Sequence, residues 1–133
     1  MPGIDECLLE AMLLPGALGA GVADWTSGLA LGAIGQSPGG DHEATAAETA
    51  ELARTAAEHP GFGVPGDGTE DPAAAGPPVE DVIITTRTAY HVLCFVETSF
   101  DSSVFLHLWL DRREGNLALA RLRLRDLAER LVL

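Results

Sequence analysis

The residues best suited to chemistry in this chain are two cysteines, four histidines and several neighbouring carboxylates. Their spacing does not assemble a site. A zinc centre needs Cys and His in tight clusters, yet Cys7 and Cys94 stand far apart and no Cys-x-x-Cys occurs. His91 and Cys94 share a strand-like run, and their odd separation puts them on opposite faces of a regular strand. That argues against a Cys–His nucleophile. His42 and His59 fall at the ends of a helical segment, where capping or solvation accounts for them. His107 alternates with Phe105 and Trp109 and reads as a hydrogen-bonded interior histidine. The pairs Asp5-Glu6, Glu70-Asp71 and Glu80-Asp81 fall on loops or element starts and read as solvated charge. All eight Lys/Arg positions are arginine, which excludes a Walker-type lysine, a Schiff base and a lysine general base. We expect no catalytic, cofactor-binding or metal-ligating residues, and no enzyme activity.

The charge balance narrows the partners. The 133 residues carry a net charge of −12. Residues 1–101 hold sixteen acids and two arginines, whereas residues 102–133 hold four acids and six arginines. An acidic body argues against nucleic acid, where phosphate neutralisation supplies most non-specific affinity. It argues equally against anionic membrane surfaces. The composition, 47% hydrophobic and 21% charged, fits a globular protein. The length fits one domain over residues 1–133. Two cysteines in apolar surroundings predict buried reduced thiols, although one disulfide is arithmetically open. The first six residues lack a basic n-region, so we expect no secretory signal and a cytoplasmic protein.

The elements that must position these residues follow from periodicity. Ile4–Leu14 reads as a short helix with Ile4, Cys7, Leu8, Ala11 and Met12 on one stripe, ended by Pro15-Gly16. The stretch "GALGAGVADWTSGLALGAIG" then admits three readings. As a membrane span it fails, because Asp24 and the turn residues leave pieces shorter than the ~20 residues required. As a phosphate loop it fails for lack of a following helix and a lysine. As a hairpin it works, with strands at Ala17–Asp24 and Leu29–Gly35 around a turn at Trp25–Gly28. Gly19, Gly21 and Gly32 inside those strands suggest a helix lying tightly across the hairpin, or else a drift in composition from GC-rich codons. Trp25 in the turn could anchor a partner or plug one end of the sheet.

Asp41 is a suitable N-cap for a helix over Glu43–His59. Ala46, Ala50, Ala53 and Ala57 recur on one face of it, and Glu48, Glu51 and Glu58 take the outer face. The alanine stripe fits either a thin helix on a sheet or a helix–helix contact in a dimer. Pro60–Pro78, with five prolines and five glycines, reads as a long loop. A hairpin follows, with strands at Glu80–Thr86 and Tyr90–Glu97, then a turn around Phe100–Ser103 and a strand at Val104–Leu110. Both faces of that last strand are apolar, so the sheet is expected to be covered on both sides. Asn116 can cap a final helix reaching about Val132, with Leu117, Ala120, Leu124, Leu127, Ala128 and Leu131 on its stripe. Arg112 and Arg113, just before it, are either solvated or contacts for an acidic partner.

The order helix, two strands, helix, three strands, helix predicts a three-layer α/β/α sandwich around an antiparallel sheet of about five strands. The middle helix should cover one face and the terminal helices the other. A strand edge rich in Val82, Ile83 and Ile84 is an aggregation hazard unless covered or paired.

With these elements in order, the chain resembles the Roadblock family, the dynein light chain roadblock-type proteins and their bacterial relatives. The resemblance rests on the first hairpin, on "EATAAETAELARTAAE", on "EDVIITTRTAYHVLCFVE", and on "SSVFLHLWLDRREGNLALARLRLRDLAERL". The long Pro/Gly-rich loop departs from that family's compact pattern. The resemblance implies a homodimer in which the middle helices and third strands of two copies meet, placing Ala46, Ala50, Ala53, Ala57, Val82, Ile83 and Ile84 at the interface. It implies no enzyme activity, binding to a Ras-like small GTPase, and membership of a bacterial module with a sensor kinase. Glu48, Glu51 and Glu58 would then form an acidic partner-binding ridge. The alternative is a dimeric scaffold without a GTPase.

Overall fold

The computed structural model describes residues 3–63, 78–96 and 103–131. Helix α1 spans Ile4–Ala11, strand β1 Ala17–Asp24, strand β2 Ala30–Gly35 and helix α2 His42–Glu58. Strands β3 (Asp81–Thr85), β4 (Ala89–Val96) and β5 (Val104–Asp111) precede helix α3 (Leu117–Arg130). The five strands form one antiparallel sheet in the order β2-β1-β5-β4-β3. Helices α1 and α3 cover one face and α2 the other, which is the expected three-layer sandwich.

Local chemistry sets the element boundaries. Asp41 accepts hydrogen bonds from the backbone N–H groups of Glu43 and Ala44, satisfying donors at the start of α2. Asn116 does the same for Leu119 N at 3.0 Å. Helix α1 stops earlier than its apolar stripe suggests. Leu13 N and Leu14 N donate to the carbonyls of Glu10 and Ala11, so the last turn tightens ahead of Pro15. The long loop starts with order: Pro60–Phe62 forms a single 3-10 turn, capped by His59 Nδ1, which accepts from Gly61 N at 3.0 Å. The remainder of the Pro/Gly-rich segment and most of the turn before β5 lie outside the described residues.

Alternation along the strands divides the core in two. Val22, Val92, Val96, Leu106, Leu108 and Leu110 point to α1 and α3, where they meet Leu8, Ala11, Leu124 and Leu127. Ala23, Leu93, Phe95 and Phe105 point to α2, where they meet Ala46, Ala50 and Ala53. Of Gly19, Gly21 and Gly32, one has the expected role. A β-carbon on Gly32 would stand 2.5 Å from Ile4 Cγ2 and 3.2 Å from Leu8 Cδ1, so α1 lies tightly on the hairpin there. At Gly19 the close neighbour is instead the backbone carbonyl of Gln36, and at Gly21 a β-carbon would meet only an ordinary contact with Gly32 O at 3.5 Å. Leu119 packs against the α1/α3 core, but Leu122 stands exposed.

Candidate interaction surface

Two features of the α2 side could engage a partner: the outer surface of α2 and the free edge of β3. Helix α2 is anchored at its start. His42 Nε2 donates to the Gly35 carbonyl at 3.0 Å, and the hydroxyls of Ser37 and Thr45 share a hydrogen bond. The helix crosses β2 and β1, and its later turns reach Leu93, Phe95 and Val82. Glu48, Glu51 and Glu58 are all exposed on it, with Arg54 beside them. The alanine stripe turns inward. Ala46, Ala50 and Ala53 are buried against the chain's own sheet, and Ala57 is half-buried at the edge of the same cluster. Of the two readings that the stripe allows, the sheet contact is thus the one made within a single copy. Next to the stripe runs an uncharged flank of Thr45, Thr49, Leu52 and Ala56, half-buried except for exposed Leu52.

Strand β3 pairs with β4 on one side only, so its other edge is open among the described residues. Register places Val82 and Ile84 on the α2 face, opposite Leu93 and His91, and Ile83 on the α3 face, opposite Val92. Ile83 is 38% and Ile84 36% exposed, unusual for β-branched side chains in a sheet. The start of β3 is tied to α3 by two ion pairs, Arg121 to Asp81 at 2.6 Å and Arg125 to Glu80 at 2.7 Å. These exposed pairs add little stability.

The same face holds a feature that only its register reveals. His91 Nδ1 and His107 Nε2 are 3.0 Å apart, one donating to the other. The Trp109 indole stacks on His91, with ring centroids 6.2 Å apart. Burial, reinforced by the neighbouring His91, pushes the His107 pKa down to about 4. Burial also lowers that of His91. His107 is therefore the expected hydrogen-bonded interior histidine. Alternation alone puts His91 on the face of Leu93, and only the β4/β5 register, which sets Leu93 opposite His107, makes it the partner. Cys94 points to the other face.

The remaining reactive groups are quiet. Cys7 and Cys94 are free and buried. Burial, with Glu10 adding, pushes the Cys7 thiol up to about 11. Burial, with Asp81 and Glu80 adding against Arg125 and Arg121, does the same for Cys94. Neither is an activated thiolate. Among the described residues no three His, Cys, Asp or Glu side chains gather as metal ligands, and no helix is long and apolar enough to cross a membrane. In the first turn, burial would raise the Asp24 pKa, but hydrogen bonds from Thr26, Ser27 and Ser103 outweigh it and hold the carboxyl below its ordinary value. Trp25 packs against the α2-side core and so closes one end of the sheet. Arg112 is held by the Thr86 carbonyl at 3.0 Å and lies over the Tyr90 ring, while Arg113 is exposed.

Comparison with solved structures identifies the architecture. Myxococcus xanthus MglB superposes with a TM-score of 0.72 at 17% identity, covering 95% of this chain and 82% of that one. A Roadblock/LC7 domain from Streptomyces avermitilis gives 0.66 at 17% identity, covering 96% and 93%. The chain has the Roadblock/LC7 fold. The gliding protein MglB from Thermus thermophilus shares it, with a TM-score of 0.68 at 17% identity over 95% of this chain and 83% of that one. No family model matches the sequence, and no curated protein matches it. Helix α2 lies mainly over β1 and β2, and β3 forms the opposite edge of the same sheet, with Val82 at the margin of the α2-side core.

Proposed function

We propose that this protein is a homodimeric, non-catalytic regulator that binds a Ras-like small GTPase in a bacterial signalling module with a sensor kinase. The observation that carries the reading is the open β3 edge, with Ile83 and Ile84 exposed, in a chain of Roadblock fold. An apolar edge of this kind invites pairing with its own copy, which a two-fold axis closes without further growth. In that dimer β3 meets β3 of the second copy through Val82, Ile83 and Ile84, and the two α2 helices approach over the joined sheet. The alanines at 46, 50, 53 and 57 let each helix lie low on its own sheet. The flank of Thr49, Leu52 and Ala56 supplies the helix–helix contact.

Both helices then present Glu48, Glu51 and Glu58 as one acidic ridge. Such a ridge attracts a basic patch and speeds encounter more than it adds affinity. Stimulation of GTP hydrolysis would come from ordering the GTPase's own switch segments, without an inserted arginine. Arg87, Arg112 and Arg113 are the arginines that neither flank α3 nor sit on α2, and Arg112 is already engaged by Thr86 and Tyr90.

The test is calorimetry and stopped-flow mixing with a purified bacterial Ras-like GTPase, in both nucleotide states. Charge reversal at Glu48 and Glu51 should slow association and flatten its salt dependence, and alanine at the three arginines should leave stimulation intact. No binding in either nucleotide state would replace this reading with that of a dimeric scaffold.

A further inference from the structure

We infer that the His91–His107 pair is an acid-triggered release for the second copy of this chain. The inference rests on the dimer proposed above and concerns how that dimer is regulated. The two imidazoles lie on the α2 face at the β3/β4/β5 end of the sheet, where α2 of the same copy gives incomplete cover. His107 is 7% exposed, whereas His91 and Trp109 are half-buried and Ile84 is 36% exposed beside them. A second α2 lying over this face would complete the burial of His91.

The surroundings make charge unwelcome. The pair is joined by one 3.0 Å hydrogen bond, which needs a donor nitrogen on one ring and an acceptor on the other. A doubly protonated pair has two donors facing each other and loses the bond. Across β1, His107 faces Gly21; across β3, His91 faces Ile84; along their own strands the neighbours are Leu93, Phe105 and Trp109. From α2, a cavity of about 30 Å³ beside His107 is lined by His42, Thr45 and Thr49. His42 is the titratable group among these, and it is another base rather than a counter-ion. Glu48, Glu51 and Glu58 stand exposed on the outer side of α2, as does Arg54. Asp111 shares this face of β5 beyond Trp109, but its carboxylate accepts from Glu114 N at 3.2 Å, and no carboxylate hydrogen-bonds to either ring among the described contacts. The flank proposed to cover the pair, Thr49, Leu52 and Ala56, carries no charge. Covering His91 therefore favours its neutral form, and by linkage protonation favours separation. With one proton taken up per subunit, the dissociation constant rises by as much as about a hundredfold per pH unit.

The test is light scattering of the full chain between pH 7.5 and 4.5 at fixed ionic strength, with circular dichroism at each point to confirm folding. The unmodified chain should be a dimer at pH 7.5 and separate into folded monomers on acidification. His91→Phe with His107→Leu should stay dimeric to lower pH. If that double variant does not fold, His91→Gln alone, at the half-exposed ring, should show the same shift in smaller measure. A folded dimer that persists unchanged to pH 4.5 overturns the inference, as does a folded variant that separates along the unmodified curve. A monomer already at pH 7.5 overturns the dimer itself, and the release with it.

Discussion

Gly32 of β2 lies directly beneath Ile4 of α1, so close that a β-carbon at position 32 would stand 2.5 Å from Ile4 Cγ2. The contact sets how far α1 can sink onto the first hairpin, and with it the seating of Cys7, Leu8 and Ala11 in the core. Gly32→Ala should destabilise the chain by about 1–3 kcal/mol through overpacking. Ile4→Ala in the same chain should recover part of that loss. Urea denaturation of the two single variants and the double variant measures the coupling; strict additivity would show that the two residues do not press on one another.

Positions 52 and 53 on α2 should behave in opposite ways. Ala53 is 0% exposed against the chain's own sheet, so Ala53→Arg buries a charge and a long side chain where neither fits. Its cost should exceed about 3 kcal/mol and be visible as lost stability of the single chain. Leu52 is exposed, and Leu52→Arg should leave the fold intact while weakening the proposed dimer. Thermal melts together with light scattering separate the two effects. A stable, dimeric Ala53→Arg chain would contradict the packing described for α2.

Stability should fall with acid in a particular window. His107 titrates near 4 in the folded chain, against an ordinary value of 6.5. The unfolded chain therefore binds more protons between those values. The contribution is fully present above pH 6.5, declines as pH falls, and is gone near pH 4. Its size is about 3 kcal/mol by linkage. His107→Leu should flatten the stability profile across this interval in chemical denaturation at successive pH values. An unchanged slope would mean that His107 titrates normally in the folded chain.

Nucleotide should find no site on this protein alone. The chain has no lysine, and the glycine-rich turn Gly35–Gly40 that joins β2 to α2 runs into Asp41, whose carboxylate already accepts from the first helical N–H groups and would repel a phosphate. Titration of a fluorescent GTP or ATP analogue into the isolated protein should give no saturable signal. A sub-micromolar dissociation constant would refute this.

Much of the architecture was legible in the chain because its signals are local. Period-2 alternation in "VFLHLWL" places Phe105, His107 and Trp109 on one face whatever the strand pairs with. Asp41 and Asn116 announce helix starts because their side chains satisfy donors two or three residues away. The end of α1 was less legible. The apolar stripe continues through Met12, but the hydrogen bonding changes to a tighter turn before Pro15, and that change leaves no mark in side-chain type.

The sequence by itself determined which residues are apolar on which face, and therefore that two layers of helix must enclose one antiparallel sheet. Tertiary structure alone decided that β1 pairs with β5, which put β2 and β3 at the two edges and left Ile83 and Ile84 in the open. It also decided that the alanine stripe of α2 meets its own sheet, and that His91 and His107 lie within hydrogen-bonding distance. The physical reason is range. Alternation and capping act over a few residues and can be read along the chain. The sixteen-residue separation of His91 and His107 is bridged only when β4 and β5 settle into register, and that register is chosen by the packing of both cores together.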